Sequence, residues 1–179
     1  MPQPPDIRAD LPPHLHLRAA LDSDLPLLER IYAGTRTEEM AQTDWDAAQI
    51  AAFLRFQFHA QHQHYATHYA DAQFLVIERD GQAVGRLYLH WRTTELRIVD
   101  IALLPGHRDA GIGGALLRVL LEAAGAQNLS VSIHVEQFNR AMALYRRLGF
   151  QKIGEHGVYH LMEWRPKGIP AGGGTGSAA

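Results

Sequence analysis

The chain has 179 residues, 46% of them hydrophobic and 20% charged, which is enough for one sizeable core and so for one domain. Seventeen Lys and Arg against nineteen Asp and Glu give a net charge of −2 with no basic run, which excludes the positive field a nucleic-acid partner needs. The absence of cysteine excludes disulfides, thiolate metal sites and a cysteine nucleophile, and no apolar run approaches the roughly 18 residues of a membrane span.

The early prolines with Asp6, Arg8 and Asp10 lack the cation-then-apolar order of a signal peptide, so a soluble, cytoplasmic protein with no membrane partner is expected. Residues 1–13 are Pro-rich and polar and 166–179 are rich in Gly, Ala and Ser; neither composition repays the entropy of ordering. They are expected to be a flexible N-terminal arm and a disordered tail around a domain at 14–165.

Within that domain residues 14–20 read as a short strand, and a helix opens after it with an N-cap at Asp22 or Ser23 and Pro26 in its first turn. A longer helix over 46–66 carries the stripe Ile50, Phe53, Leu54 and Phe58. Strands at 73–78 and 83–91 flank Asp80-Gly81, a tight hairpin signal, and a further strand from Glu95 to Leu104 stops at Pro105-Gly106. Leu116, Val119, Leu120 and Ala123 share one face of a helix over 113–126. Residues 129–135 alternate with the two-residue period of a strand. A helix over Asn139–Leu148 ends at Gly149, and strands at about 150–155 and 158–164 complete a mixed sheet with helices on its faces.

Chemistry concentrates where the strand ending near Leu104 runs through Arg108, Gly111 and Gly113 into a helix. Unpaired N–H groups at a helix start converge on one point, and the helix dipole also favours an anion there. The loop is not a P-loop, because Gly114, Ala115 and Leu116 stand where Lys and Ser/Thr belong; it also lacks the third glycine of a dinucleotide fingerprint.

Arg108-Asp-Ala-Gly111-Ile-Gly113 resembles the R/Q-x-x-G-x-G/A loop of the GNAT N-acetyltransferase superfamily. The preceding Ile101-Ala-Leu-Leu-Pro105 resembles that family's Ile-Ala-Val-x-Pro run. Asn139-Arg-Ala141-Met-Ala-Leu144-Tyr145-Arg-Arg-Leu148-Gly149-Phe150 resembles its Asn-x-Ala-x-x-Leu-Tyr-x-x-Leu-Gly-Phe segment. The resemblance implies an α/β (α+β) fold, a sheet of about six to seven strands with about four helices and a splayed, V-shaped cleft. It also implies acetyl-CoA as co-substrate. A bulged strand would offer the main chain of Ile101, Ala102 and Leu103 to the pantetheine arm. The amides of Asp109, Ala110, Gly111, Ile112, Gly113 and Gly114 would take the pyrophosphate, with Arg108 adding charge and Asn139 a further cofactor contact. Asn139 reads equally well as a helix N-cap.

By the same resemblance Tyr145 is the general acid for the leaving thiolate, although its spacing from Ala141, Leu144 and Leu148 also suits a packed apolar stripe. An alkylamine is almost wholly protonated at pH 7, so a base matters; His134 is the first candidate, Glu95 the second and Asp100 the third. His64 and His68 stand at i, i+4, but nothing nearby completes a metal site and no metal is expected. The acceptor, a small-molecule or peptide amine, is expected beside residues 32–70, whose Glu38, Glu39, Asp44 and Asp46 would favour a cation. Direct attack in a ternary complex is expected, since there is no cysteine to carry the acyl group. The alternatives are a non-catalytic acyl-CoA sensor and an acyltransferase for a longer donor such as succinyl-CoA, with Arg86 or Arg97 supplying charge. Strand 158–164 leaves room for a homodimer.

Overall fold

A computed structural model describes residues 4–168. Asp80 and Gly81, with φ of 51° and 79°, form the two-residue turn between β2 (Gln73–Arg79) and β3 (Gln82–Trp91). Positive φ at both central positions suits the right-handed twist of the flanking strands. β1 (Leu15–Ala19) pairs antiparallel with β2, and β4 (Glu95–Leu103) pairs antiparallel with β3. β5 (Ser130–Glu136) runs parallel to β4, which requires a crossover, supplied by α4 (Ile112–Ala126). β7 (Tyr159–Trp164) and β6 (Gln151–His156) finish a seven-stranded mixed sheet of order β1-β2-β3-β4-β5-β7-β6. This is the sheet the strand pattern predicts.

One face carries α1 (Leu25–Thr35), α2 (Thr37–Met40) and α3 (Ala47–His68), whose Leu28, Ile31, Met40, Leu54 and Phe58 pack with Ala102 of β4. The other face carries α4 and α5 (Met142–Arg147), packed through Leu116, Leu120, Met142 and Tyr145 on Leu96, Ile98, Val131 and Ile133. No helix of the described residues is long and apolar enough to cross a membrane.

Three local expectations change. Residues 7–10, placed in a flexible arm by composition, form a 3₁₀ turn whose Ile7 is 6% exposed and joins the core beside α4. One apolar side chain with a place to dock outweighs the polar residues around it. Of the expected tail, residues 169–179 lie outside the described residues. Neither Asp22 nor Ser23 caps the first helix: they open a 3₁₀ turn, and Asp24 instead accepts from the Leu21 amide and both ends of the Arg18 guanidinium. Those Arg18 bonds hold the Asp24 carboxyl down at about 2. α5 begins three residues later than Asn139, because the Asn139 side-chain oxygen accepts from the Ala141 amide and makes a turn ahead of the helix.

Gly85 lets β3 and β4 approach: a Cβ there would stand 2.5 Å from the Ala102 carbonyl oxygen and 2.7 Å from Leu103 Cδ2. Main chain cannot give way as a side chain does, so Gly85→Ala is expected to lower stability by about 1–3 kcal/mol. Urea unfolding reads this as a lower midpoint at unchanged slope; a midpoint equal to wild type would show that the strand spacing yields.

Candidate active site

The cleft begins with a counting mismatch between strands. Tyr88 of β3 opposes Asp100, but Leu89, the next residue, opposes Ile98, so Val99 is an extra residue on β4. A bulge bends its strand and increases its twist. The parallel ladder from β4 to β5 runs from Glu95 and Ser130 to Ile98 and Ile133 and goes no further. Beyond that point the strands part into a V with Asp100 to Leu103 on one wall and His134 to Glu136 on the other.

Parity decides which main-chain groups face the opening. Leu104 donates to the Val84 carbonyl, so Leu104 and Ala102 turn their polar groups toward β3, while Ile101 and Leu103 turn theirs into the cleft. Of the three residues expected there, Ala102 is committed to the sheet. The Leu103 carbonyl is also taken, by Arg108 Nε at 3.2 Å. Ile101 and the Leu103 N–H remain for a bound chain.

At the top of β4 the loop turns through Asp109 and Gly111, with φ of 59° and 78°, and Gly111 starts α4. Glycine is required at 111 by that φ rather than by crowding: a Cβ there would meet nothing within 4 Å, so the space in front of the loop is open. Ala115 N–H bonds back to the Gly111 carbonyl, leaving the amides of Ile112, Gly113 and Gly114 as the free donors of a helix start. Arg108 does not reach this point. Its Nη2 donates to the Gly34 carbonyl at 2.9 Å and its Nε to Leu103, so it ties the loop to α1 and β4. The exposed cation at the helix start is Arg118, one turn along α4, whose guanidinium lies 3.6 Å from where a Gly114 Cβ would be. Arg140 lies nearby and pairs with Asp109 at 2.7 Å.

Tyr145 is fixed by the end of its own helix. Gly149, at φ 96°, bonds through its N–H to the Arg146 carbonyl, and Phe150 N–H bonds to the Tyr145 carbonyl, the double closure of a Schellman motif. The Phe150 ring meets the Tyr145 ring edge-on at 5.5 Å. Tyr145 is 4% exposed and belongs to the core, yet its hydroxyl has no hydrogen-bond partner among the described residues. Burial raises its phenol above the ordinary range, and the Asp100 carboxylate across the cleft adds to the effect. Such a phenol holds its proton throughout the neutral range.

His134 is the first β5 residue past the last β4–β5 pair, exposed and opposite Leu161 of β7. Burial, then Arg97 and His156, push its imidazole below the ordinary value, against the opposing pull of Glu95. Glu95 does not come to the cleft. It pairs with Ser130, three residues or about 10 Å along β4 below the parting point. Both of its oxygens are engaged at 2.6 Å, by Ser132 Oγ and Arg92 Nη1. Partial burial alone would raise its carboxyl, but those two bonds, together with the charges of Arg97 and Arg92, outweigh it and hold the group below the usual range. Asp100 sits beside the bulge, where its Oδ2 accepts from Arg86 at 2.7 Å and from Tyr65 at 3.2 Å. Arg86, 2% exposed, also donates to Gln61.

The model of the acetyltransferase (GNAT) family matches residues 35–150, from α1 through α4 to the end of α5. The chain belongs to the GNAT family. A mouse relative, N-acetyltransferase family 8 member 3, is 33% identical over 51% of this chain and 44% of its own. The N-alpha-acetyltransferase of Sulfurisphaera tokodaii is 30% identical over 46% of this chain and 59% of its own. The matches thus span about half the length of these curated relatives. The PaiA N-acetyltransferase from Thermoplasma acidophilum, solved with coenzyme A, superposes with a TM-score of 0.64 over 84% of this chain and 98% of that one, at 18% identity. At that identity the likeness concerns the fold.

On the mouth of the GNAT cleft lies a groove of about 360 Å³ lined by Arg36, Glu39, Glu136, Phe138, Val158 and Tyr159. Two of the four acids expected to attract a cation there are engaged elsewhere. Glu39 is bound at both oxygens by Arg36, and Asp46 caps α3 through the Gln49 amide. Phe138 is 91% exposed at the groove's edge. Of the histidines considered for metal, His64 and His68 stack at 4.1 Å with His68 Nδ1 against the His64 carbonyl, and no group of three potential ligands converges among the described residues. Sequence reasoning missed Arg118, whose signal was its i+4 spacing from Gly114. It also missed the role of Gly34, which no local pattern marks.

Proposed function

We propose that this GNAT-family protein is an acetyl-CoA-dependent N-acetyltransferase that acetylates a primary amine, on a small molecule or a peptide, by direct attack in a ternary complex. The observation that supports the reading is the parting of β4 from β5 after Ile98 and Ile133, which leaves the main chain of Ile101 and Leu103 without a strand partner on that side, one loop before the α4 helix start. Acetyl-CoA supplies the thioester carbonyl and the sulfur leaving group. Ile101 and Leu103 hold its pantetheine amides as an added strand would be held. The amides from Asp109 to Gly114 receive the pyrophosphate, and Arg118 supplies the charge first expected of Arg108. Asn139 Oδ1 is occupied in its turn, which leaves Nδ2 as that residue's cofactor contact.

His134 accepts the proton of the attacking amine, a β4 amide faces the oxygen on which charge develops, and Tyr145 protonates the departing thiolate. Glu95 has no part in the transfer, because it is bonded away from the cleft.

Acetyl-CoA turnover over a panel of amines tests this. At least one amine is expected to be acetylated, and Arg118→Ala is expected to raise the KM for acetyl-CoA about 3- to 10-fold, the size of one screened charge contact. Tight coenzyme A binding with no turnover on any amine would instead mark a sensor that has kept the cleft without the reaction.

A further inference from the structure

Three carboxylates on the α3 side of the sheet below and at the parting point each have an arginine. Arg92 holds Glu95, Arg86 holds Asp100 and Arg165 holds Glu163. Arg97 stands among them with no ion pair or hydrogen bond of its own among the described residues, although its charge is felt by Glu95 two residues away on the same face. It faces the same side, opposite His90 on β3 and Ser132 on β5, one ladder step below the opening. Its Nε and Nη1 are shut off from water and have no hydrogen-bond partner among the described residues, while the side chain as a whole is only half-buried, so the Nη2 end stays open. A guanidinium held partly out of water and unpaired is costly unless something completes it, and a carboxylate is the natural partner for its open Nη2 end. His134 lies two residues beyond Ser132 on the same face, about 7 Å along β5. A cation so near the candidate base repels a bare ammonium, unless the acceptor brings a negative charge of its own.

We propose that Arg97 binds a carboxylate carried by the acceptor, so that the amine acetylated at His134 belongs to an amino acid. This rests on the acetyltransferase reading and narrows its acceptor. The groove fits the class: Phe138, Val158 and Tyr159 offer an apolar side chain a place to lie, and the one carboxylate left unpaired by arginine there is Glu136. The same chemistry could arrive on the acyl group of a dicarboxylic thioester, and the test separates the two sources.

Acetyl transfer to L-phenylalanine, L-methionine and L-leucine is compared with transfer to the matching decarboxylated amines, in wild type, Arg97→Gln and Arg97→Lys. Thermal unfolding checks that each variant folds. In wild type the amino acid is expected to lead by at least 10-fold in kcat/KM; Arg97→Gln brings that ratio toward one, and Arg97→Lys restores it in part. A second readout needs no turnover. In coenzyme A-loaded protein, added amino acid should move the His134 NMR titration midpoint upward as Arg97 is neutralised, an effect lost in Arg97→Gln. Acetylated amines with no preference for the carboxylate overturn the proposal while leaving the acetyltransferase reading intact. An Arg97-dependent midpoint shift without transfer does the reverse. A preference of succinyl-CoA over acetyl-CoA on the decarboxylated amines, lost in Arg97→Gln, places the carboxylate on the donor and overturns the acceptor assignment.

Discussion

Tyr145→Phe is expected to lower kcat for acetyl transfer by about 10²- to 10³-fold, the usual cost of removing a positioned acid and equivalent to about 3–4 kcal/mol of barrier. Only one oxygen is lost. The ring keeps its edge contact with Phe150 and its place in the core, and the Schellman closure involves the main chain of residue 145, so stability and the KM for acetyl-CoA should change little. The hydroxyl makes no hydrogen bond that the change would break among the described residues, so a loss of rate reports chemistry rather than packing. Because burial and then Asp100 raise the phenol, it stays protonated well past neutrality and can donate a hydrogen bond to the sulfur as the C–S bond breaks; a thiolate near 8.5 is the weaker base of the pair, so the proton is shared with the sulfur and full transfer is uphill, with solvent restoring the phenol afterwards. No alkaline loss of activity from Tyr145 is expected below about pH 10. Single-turnover measurement separates chemistry from product release, and equal single-turnover rates for the two proteins would remove Tyr145 from the mechanism.

His134→Ala is expected to lower kcat/KM by about 10- to 100-fold at pH 7, with the defect shrinking toward pH 10 as the amine loses its own proton to solvent. The wild-type acidic limb follows from the direction of the imidazole's shift. Burial, Arg97 and His156 favour the neutral ring, so it is already a competent base at pH 7, and activity falls only as the pH drops through a value below about 6.5. Glu95 pulls the other way and keeps the shift modest. Removal of His134 should abolish that limb. A pH profile of kcat/KM that keeps the same acidic limb in His134→Ala would assign it to another group and remove His134 as the base.

Most of the fold was legible in the chain, and of the candidate site its local turns and helix ends. The Asp80-Gly81 hairpin, the alternation over 129–135, the stripe of α4 and the Gly149 stop each depend on residues within a few positions of one another, and each stands within a residue of where the pattern places it. The turn at Gly111 and the helix end that fixes Tyr145 were legible for the same reason, since a helix start and a helix end write themselves locally. The errors were about partners. Arg108 was expected at the phosphates and bonds instead to Gly34, 74 residues away. Glu95 was weighed as a base and is held by Ser132, on a strand that reaches it only through the α4 crossover. Ile7 was assigned to a loose arm because a polar composition does not reveal that one apolar side chain has a dock.

The amino-acid sequence by itself determined the periods, turns and helix ends, and with them an acetyltransferase-like order of elements, because these follow from the φ, ψ and side-chain preferences of neighbouring residues. Only the tertiary structure decided that β4 carries one residue too many at Val99, that Ala102 faces the sheet while Ile101 faces the cleft, and that the guanidinium of Arg97 has no carboxylate bonded to it among the described residues. Register and charge pairing across strands are settled by which side chains the assembled sheet brings within hydrogen-bond reach, a condition set by contacts far apart in the chain.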